Sequence, residues 1–91
     1  AVNRGVKSLI DKTEQVFQQK GWMNWERLGA YIHLEASELV EATRGKGDPL
    51  DEAGDAFMNL LALMNLNGLT FREVVEQAYD KLDKIKSGEI R

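Results

Sequence analysis

The sequence predicts an all-α fold, an antiparallel four-helix bundle that assembles as an oligomer. Apolar side chains recur at helical spacing along the chain, and no segment alternates apolar and polar residues as a strand does. Glycines follow each of the first three helical patterns, and the only proline, Pro49, lies where a new helix begins. Four helices with short connections predict an antiparallel bundle. The 91 residues fit a single domain, residues 1–91.

Composition limits the classes of function. The formal net charge is −3, which argues against a broad surface for a nucleic acid polymer, because such a surface is normally basic. The sequence has no cysteine, so disulfides, zinc–thiolate sites and thiol catalysis are excluded. No apolar run approaches the roughly 20 residues of a membrane span, and the first residues lack the apolar core of a signal peptide. We therefore expect a cytoplasmic protein with no membrane partner.

The first two predicted helices are separated by a short connection after Gly21. The first runs from about Asn3 to Lys20, and its apolar stripe consists of Val6, Leu9, Ile10, Thr13, Val16 and Phe17. The second runs from about Trp25 to Arg44, with Asn24 as its N-cap. The segment Gly45-Lys46-Gly47 ends it.

Glu35 lies in the middle of the apolar stripe of the second helix. At 100° per residue, four side chains lie within about 40° of it, namely Leu28, Tyr31, Leu39 and Ala42. Glu38 lies about 60° from Glu35. Glu41 falls on another face, where we expect a solvated acid.

The third helix has two faces that favour burial. Asp48 is its predicted N-cap and Pro49 its first residue, and it runs to about Asn67 before Gly68. One face is apolar throughout: Leu50, Ala53, Phe57, Leu60, Leu61 and Met64. The neighbouring face changes from polar to apolar along the helix: Glu52, Asp55, Asn59, Leu63 and Leu66. We expect this helix to be central, with more apolar surface than one small bundle can cover, which predicts a homo-oligomer.

The fourth helix begins with a capping-box signature, Thr70-Phe71-Arg72-Glu73. It runs to about Lys86. The side chains expected to face inward are Phe71, Val74, Val75, Ala78, Leu82 and Ile85.

Two acid pairs at the same spacing, Glu35/Glu38 and Glu52/Asp55, are the candidate site. Most acid pairs three residues apart lie on solvated helix faces, but Glu35 lies among apolar residues and no Lys or Arg shares the stripe of Glu52 and Asp55. Two buried carboxylates about 4 Å apart repel by about 4 kcal/mol at an effective dielectric constant of about 20. They would take up protons or bind a cation. Oxygen ligands alone favour Mg²⁺, with Mn²⁺ as the alternative, and suggest phosphoryl or nucleotidyl hydrolysis.

The pattern Glu35-x-x-Glu38, a spacer of 13 residues, and Glu52-x-x-Asp55 closely resembles the MazG-type all-α nucleoside triphosphate pyrophosphohydrolases. The resemblance extends over about Leu28 to Lys86. It implies a Mg²⁺-dependent enzyme, a homodimer or homotetramer, in which the two acid pairs hold the metal. The substrate would be a (deoxy)nucleoside triphosphate, and water would attack its α-phosphorus to give the monophosphate and pyrophosphate. Removal of unwanted nucleotides is the role that such an activity suggests.

The resemblance also implies roles for single residues. Glu38 and Glu35 are the candidates for orienting the attacking water, and the offset of Glu38 from the apolar stripe favours Glu38. Asn59, one turn after Asp55, would hydrogen-bond the sugar or the base edge. Three cations near the end of the chain would neutralise phosphate charge: Lys81, Lys84 and Arg91.

Trp22 and Trp25 flank the start of the second helix, and either could stack on a base. We favour Trp25 for that role, although the commoner use of such residues is to cover a core. Two alternative functions stay open at this point. One is a phosphoribosyl-ATP pyrophosphohydrolase-like activity on the same fold. The other is a non-catalytic helical oligomerisation module whose acids are solvated.

Overall fold

The all-α prediction is confirmed for residues 5–90, the part of the chain that the computed structural model describes. That part forms four helices and no strand: α1 (Val6–Gln19), α2 (Trp25–Ala42), α3 (Pro49–Leu66) and α4 (Phe71–Lys86). The predicted start of the first helix at Asn3 lies outside the described residues. Within residues 5–90, none of the helices is both long enough and apolar enough to cross a lipid bilayer.

Local capping bonds explain where the helices begin. The Asn24 side chain accepts a hydrogen bond from the Arg27 backbone N–H at 2.8 Å, and Asp48 caps α3 in the same way. At α4 the capping box is complete. The Glu73 N–H donates to the Thr70 hydroxyl at 3.1 Å, and the Thr70 N–H donates to the Glu73 carboxylate at 2.9 Å. These bonds confirm the three predicted helix starts.

The glycine after α1 also positions an aromatic side chain. Gly21 has a φ of +72°, a left-handed conformation that favours glycine. The chain then turns back, and the Trp22 N–H donates to the Phe17 carbonyl at 2.8 Å. The two rings meet edge to face, with centroids 5.4 Å apart. Trp22 is thereby held over the end of α1 and against the core.

The third helix is central, as predicted, because α3 packs extensively against α2 and also against α1. Leu28 of α2 is fully buried, and Met23 packs against the core cluster that contains it. The core is small. Its buried apolar side chains are Phe17, Leu28, Ala42, Leu61, Ala62 and Met64.

The predicted antiparallel bundle is not completed by α4 within one chain. This helix makes only a few contacts with the others, and none of its residues is buried. Three of the side chains expected to face inward are exposed, namely Ala78, Leu82 and Ile85, and Phe71, Val74 and Val75 are only half-buried. The apolar face predicted for α3 is also partly uncovered, and Leu50 is 81% exposed. A helical pattern identifies an apolar face but does not say which helix covers it.

Candidate metal centre

The hairpin of α2 and α3 brings the two acid pairs together. The helices fold back on each other through residues 43–48, so positions equally far from this turn lie side by side. Glu35 is thereby placed near Asp55, and Glu38 near Glu52. One carboxylate oxygen from each of Glu35, Glu52 and Asp55 lies within 4.8 Å of the other two. Glu35, Glu38, Glu52 and Asp55 together are called the acid cluster.

Glu38 lies beside this group of three and interacts with two of its members. A hydrogen bond shared with the Glu38 carboxyl group is the main cause that raises the pKa of Glu52 from 4.5 to about 7. Burial and the negative charges of Glu38, Asp51 and Asp55 act in the same direction. The neighbours of Glu52 therefore favour its protonated form when no cation is present.

Glu35 shows the same effect with a different main cause. Burial raises the pKa of Glu35, and the charges of Glu38 and Asp55 raise it further. The Oε2 atoms of both Glu35 and Glu52 are buried, and neither receives a hydrogen bond from the residues that the structure describes. A buried carboxylate oxygen without a donor is unfavourable, whereas a bound cation would satisfy it. The acid cluster thus fits a hard divalent cation.

A pocket of about 220 Å³ opens beside the acid cluster. Glu35 and Asp55 form part of its wall, so the pocket and the cluster share two side chains. Its other lining residues come from α1, the α1–α2 connection, α2 and α3: Phe17, Trp22, Arg27, Tyr31, Met58 and Asn59. The pocket therefore combines aromatic surface, one cation and the acids.

Three side chains of this pocket, Arg27, Trp22 and Tyr31, form a cation–π group. The guanidinium carbon of Arg27 lies 4.4 Å from the centroid of the Trp22 ring and 4.1 Å from that of Tyr31. Such distances allow cation–π attraction. The bend after α1 positions Trp22, and the four-residue spacing of Arg27 and Tyr31 places both on one face of α2.

Asn59 is the one buried polar residue of the pocket wall. Its side-chain N–H donates to the Asp55 backbone carbonyl at 2.9 Å, one turn earlier on α3. The bond fixes the amide group in orientation. Asn59 lines the pocket together with Glu35 and Asp55, and its predicted hydrogen bond to the sugar or the base edge stays a prediction.

Comparison of the chain with protein-family models, curated proteins and solved structures gave no match. The MazG-type family therefore stays a prediction. What the site can do follows from the chemistry of its own residues.

The structure places several predicted substrate-binding residues away from the pocket. Trp25 is 71% exposed and does not line it, whereas Trp22 does. Lys81 and Lys84 lie on the exposed α4, and Lys84 forms an ion pair with Asp80 at 3.2 Å. Arg91 lies outside the described residues. Within one chain, the pocket has Arg27 as its cation.

Sequence reasoning missed Arg27, Tyr31 and Asp51 as contributors to the site. The four-residue spacing of Arg27 and Tyr31 was an available signal, because it puts a cation and an aromatic ring on one helix face near Glu35. Asp51 follows Leu50 in the first turn of α3, and its charge raises the pKa values of both Glu35 and Glu52. No spacing rule separates it from an ordinary first-turn acid.

The raised pKa values predict that the metal-free protein loses stability as the pH rises. Glu35 and Glu52 bind protons more tightly in the folded than in the unfolded chain. Their contribution is therefore fully present below about pH 4.5 and is lost as the pH rises, for Glu52 as it passes the raised pKa of about 7. Thermal unfolding in EDTA should show Tm falling between about pH 5 and about pH 8.

Saturating Mg²⁺ should remove most of the fall in Tm with pH, because a bound cation favours the ionised carboxylates. The pH dependence expected from Glu73 has the opposite sign. Its bonds with the Thr70 backbone and side chain lower its pKa, so its contribution is lost only under acidic conditions. A Tm that rises from about pH 5 to about pH 8 in EDTA would contradict the charge repulsion assigned to the acid cluster.

Proposed function

We propose that the protein is a Mg²⁺-dependent nucleoside triphosphate pyrophosphohydrolase. The observation that carries the proposal is the acid cluster with two buried, donor-free oxygens at the edge of the 220 Å³ pocket. Carboxylates without cationic partners are suited to a divalent ion, and an ion held by carboxylates leaves positions for phosphate oxygens. An adjacent pocket with aromatic walls suits the nucleoside part of the ligand.

Oxygen is the only donor type in the acid cluster, which favours Mg²⁺ or Mn²⁺ over zinc. Glu35, Glu52 and Asp55 would hold the ion, with Glu38 at the side. A divalent cation, when bound, supplies charge neutralisation to the triphosphate and helps to ionise the attacking water.

Glu38 is the residue that we assign to the water. It interacts with Glu35 and Glu52 but is not one of the three acids whose oxygens lie within 4.8 Å of one another. With a cation held by those three acids, the Glu38 carboxylate would be the one left to accept a proton. The water oxygen bonds to the α-phosphorus, and the bond from that phosphorus to the bridging oxygen of the β-phosphate breaks. The products are the nucleoside monophosphate and pyrophosphate. Glu35 is the alternative proton acceptor.

Self-association belongs to the same proposal. Large apolar side chains on α4 are exposed, among them Tyr79 at 66% and Leu82 at 59%, and the core of one chain is small. A homodimer or homotetramer would bury these surfaces. Lys81 and Lys84 would reach a triphosphate only from a second copy, since they do not line the pocket of their own chain.

Substrate panels test the proposal. The protein with Mg²⁺ is incubated separately with each ribo- and deoxynucleoside triphosphate and with phosphoribosyl-ATP, and released pyrophosphate is measured. Release from at least one nucleoside triphosphate is the expected result. Release from phosphoribosyl-ATP alone would instead favour the second activity on this fold. Absence of release from every substrate would favour the oligomerisation module.

A further inference from the structure

Arg27 is a half-buried cation whose side chain has no anionic partner in the described residues. Within residues 5–90, no acid forms an ion pair with it and no side-chain hydrogen bond satisfies its guanidinium donors. Glu35 and Asp55 line the same pocket, yet neither pairs with it. By contrast, Arg44 and Arg72 on the protein surface both pair with acids. Arg27 therefore lines the pocket with side-chain donors that no described residue uses.

The aromatic contacts hold the guanidinium group of Arg27 in place. Its carbon lies over the rings of Trp22 and Tyr31, 4.4 and 4.1 Å from their centroids, at distances that allow cation–π attraction. The N–H donors of a guanidinium group lie in its plane, so contact with a ring through the cation does not use them as hydrogen-bond donors. Two neighbouring N–H groups of a guanidinium form a fork. When the group is held in one place, this fork can donate two parallel hydrogen bonds to the oxygens of a phosphate.

The position of Arg27 on its helix also favours an anion. Arg27 lies in the first turn of α2, where the positive end of the helix dipole disfavours a cation. The guanidinium group and the N-terminal end of α2 thus both carry positive charge. A cation that helix formation does not favour and that no acid neutralises is suited to a bound anion.

We propose that Arg27 binds a non-bridging phosphate oxygen of the triphosphate while the acid cluster holds the cation on the same chain of phosphates. The proposal rests on the proposed function for the identity of the ligand. It assigns the aromatic residues Trp22 and Tyr31 to positioning Arg27. It also supplies the phosphate-binding cation that Lys81 and Lys84 do not supply within one chain.

Calorimetric titration with inorganic tripolyphosphate and Mg²⁺ tests this assignment without a base or sugar. Wild-type protein should bind tripolyphosphate, and Arg27→Gln should bind it at least about tenfold more weakly, as expected for loss of a charged hydrogen-bond donor. Arg27→Lys keeps the positive charge but loses the fork of N–H donors, so its affinity for tripolyphosphate should lie between those of wild type and Arg27→Gln. Arg72→Gln is the matched control, because Arg72 is exposed and paired with Glu76, and its binding should equal that of wild type.

The outcomes separate the two proposals. If wild type and Arg27→Gln bind tripolyphosphate equally well, the assignment is overturned. If Arg27→Gln then binds only the nucleotides of one base more weakly, Arg27 contacts the base edge instead. Failure of wild type to bind tripolyphosphate with Mg²⁺ would overturn both proposals. If Arg27→Gln loses helicity, the Nε–H resonance of Arg27 in wild type gives the answer. It should shift on addition of tripolyphosphate, and an unchanged resonance would contradict the contact.

Discussion

Glu52→Gln is expected to reduce pyrophosphate release on the order of 100-fold or more, while the metal-free protein becomes more stable. The substitution removes one ligand of the proposed cation. It also puts a neutral group of the same shape in place of the Glu52 carboxylate, whose pKa is raised to about 7 by its neighbours. Loss of activity with a gain in metal-free Tm is a combination that a merely structural residue would not give.

Glu41→Gln is the matched control for that experiment. Glu41 is also an acid on α2, but it pairs with Arg44 at 3.4 Å and with Lys46 at 3.8 Å, and it does not belong to the acid cluster. Its activity should stay near that of wild type. Mg²⁺ should raise the Tm of wild type and of Glu41→Gln, but not that of Glu52→Gln. Equal activity in Glu52→Gln and wild type would remove the acid cluster from the reaction.

Replacing Leu82 and Ile85 by Glu is expected to convert the proposed oligomer into a monomer. These side chains are 59% and 47% exposed in the single chain and lie on the apolar face of α4. Burying each in an interface would contribute about 1.5–3 kcal/mol. Their joint loss should therefore weaken association by roughly 100-fold or more, given about 1.4 kcal/mol per factor of ten. Light scattering coupled to size-exclusion chromatography gives the mass directly.

The control for that pair is Gln77→Glu, which adds a negative charge to α4 away from Leu82 and Ile85. It should leave the mass unchanged. Helicity of both variants is compared by circular dichroism, and α4 should stay helical because its capping box is intact. A wild-type protein that is monomeric at micromolar concentration would refute the association itself.

The helix ends were predictable because the signals that determine them are local. Asn24, Asp48 and Thr70 each accept a hydrogen bond from a backbone N–H a few residues later, and this pattern is visible in the sequence. Gly21 and Gly68 adopt positive φ values where each helix pattern stops. Interactions between residues close together in the sequence thus determined the bounds of the helices.

The acids were predictable for a related reason. Residues three apart share a helix face, and a short connection after α2 forces the next helix to fold back. These two facts suffice to bring Glu35 and Glu38 toward Glu52 and Asp55. The degree of burial of single oxygens, such as Glu35 Oε2, depends on packing and needed the structure.

The direction in which a side chain points and the helix that covers an apolar face were not predictable from the sequence. Trp22 and Trp25 are equivalent in sequence, and only the backward bend after Gly21 distinguishes the tryptophan that lines the pocket from the exposed one. The pattern of α4 identified an apolar face, but Leu82 is exposed because no helix within residues 5–90 covers it. Arg27 was missed because its four-residue spacing from Tyr31 shows that the two share a helix face, but not that this face lines a pocket.

Phosphorus NMR of a reaction with a nucleoside triphosphate and Mg²⁺ tests the central claim most directly, because it identifies the bond that breaks. The acid cluster and its pocket predict that the triphosphate signals are replaced by those of pyrophosphate and the nucleoside monophosphate, and that EDTA stops the change. Orthophosphate and nucleoside diphosphate as products, or a spectrum that does not change with any nucleotide, would contradict it.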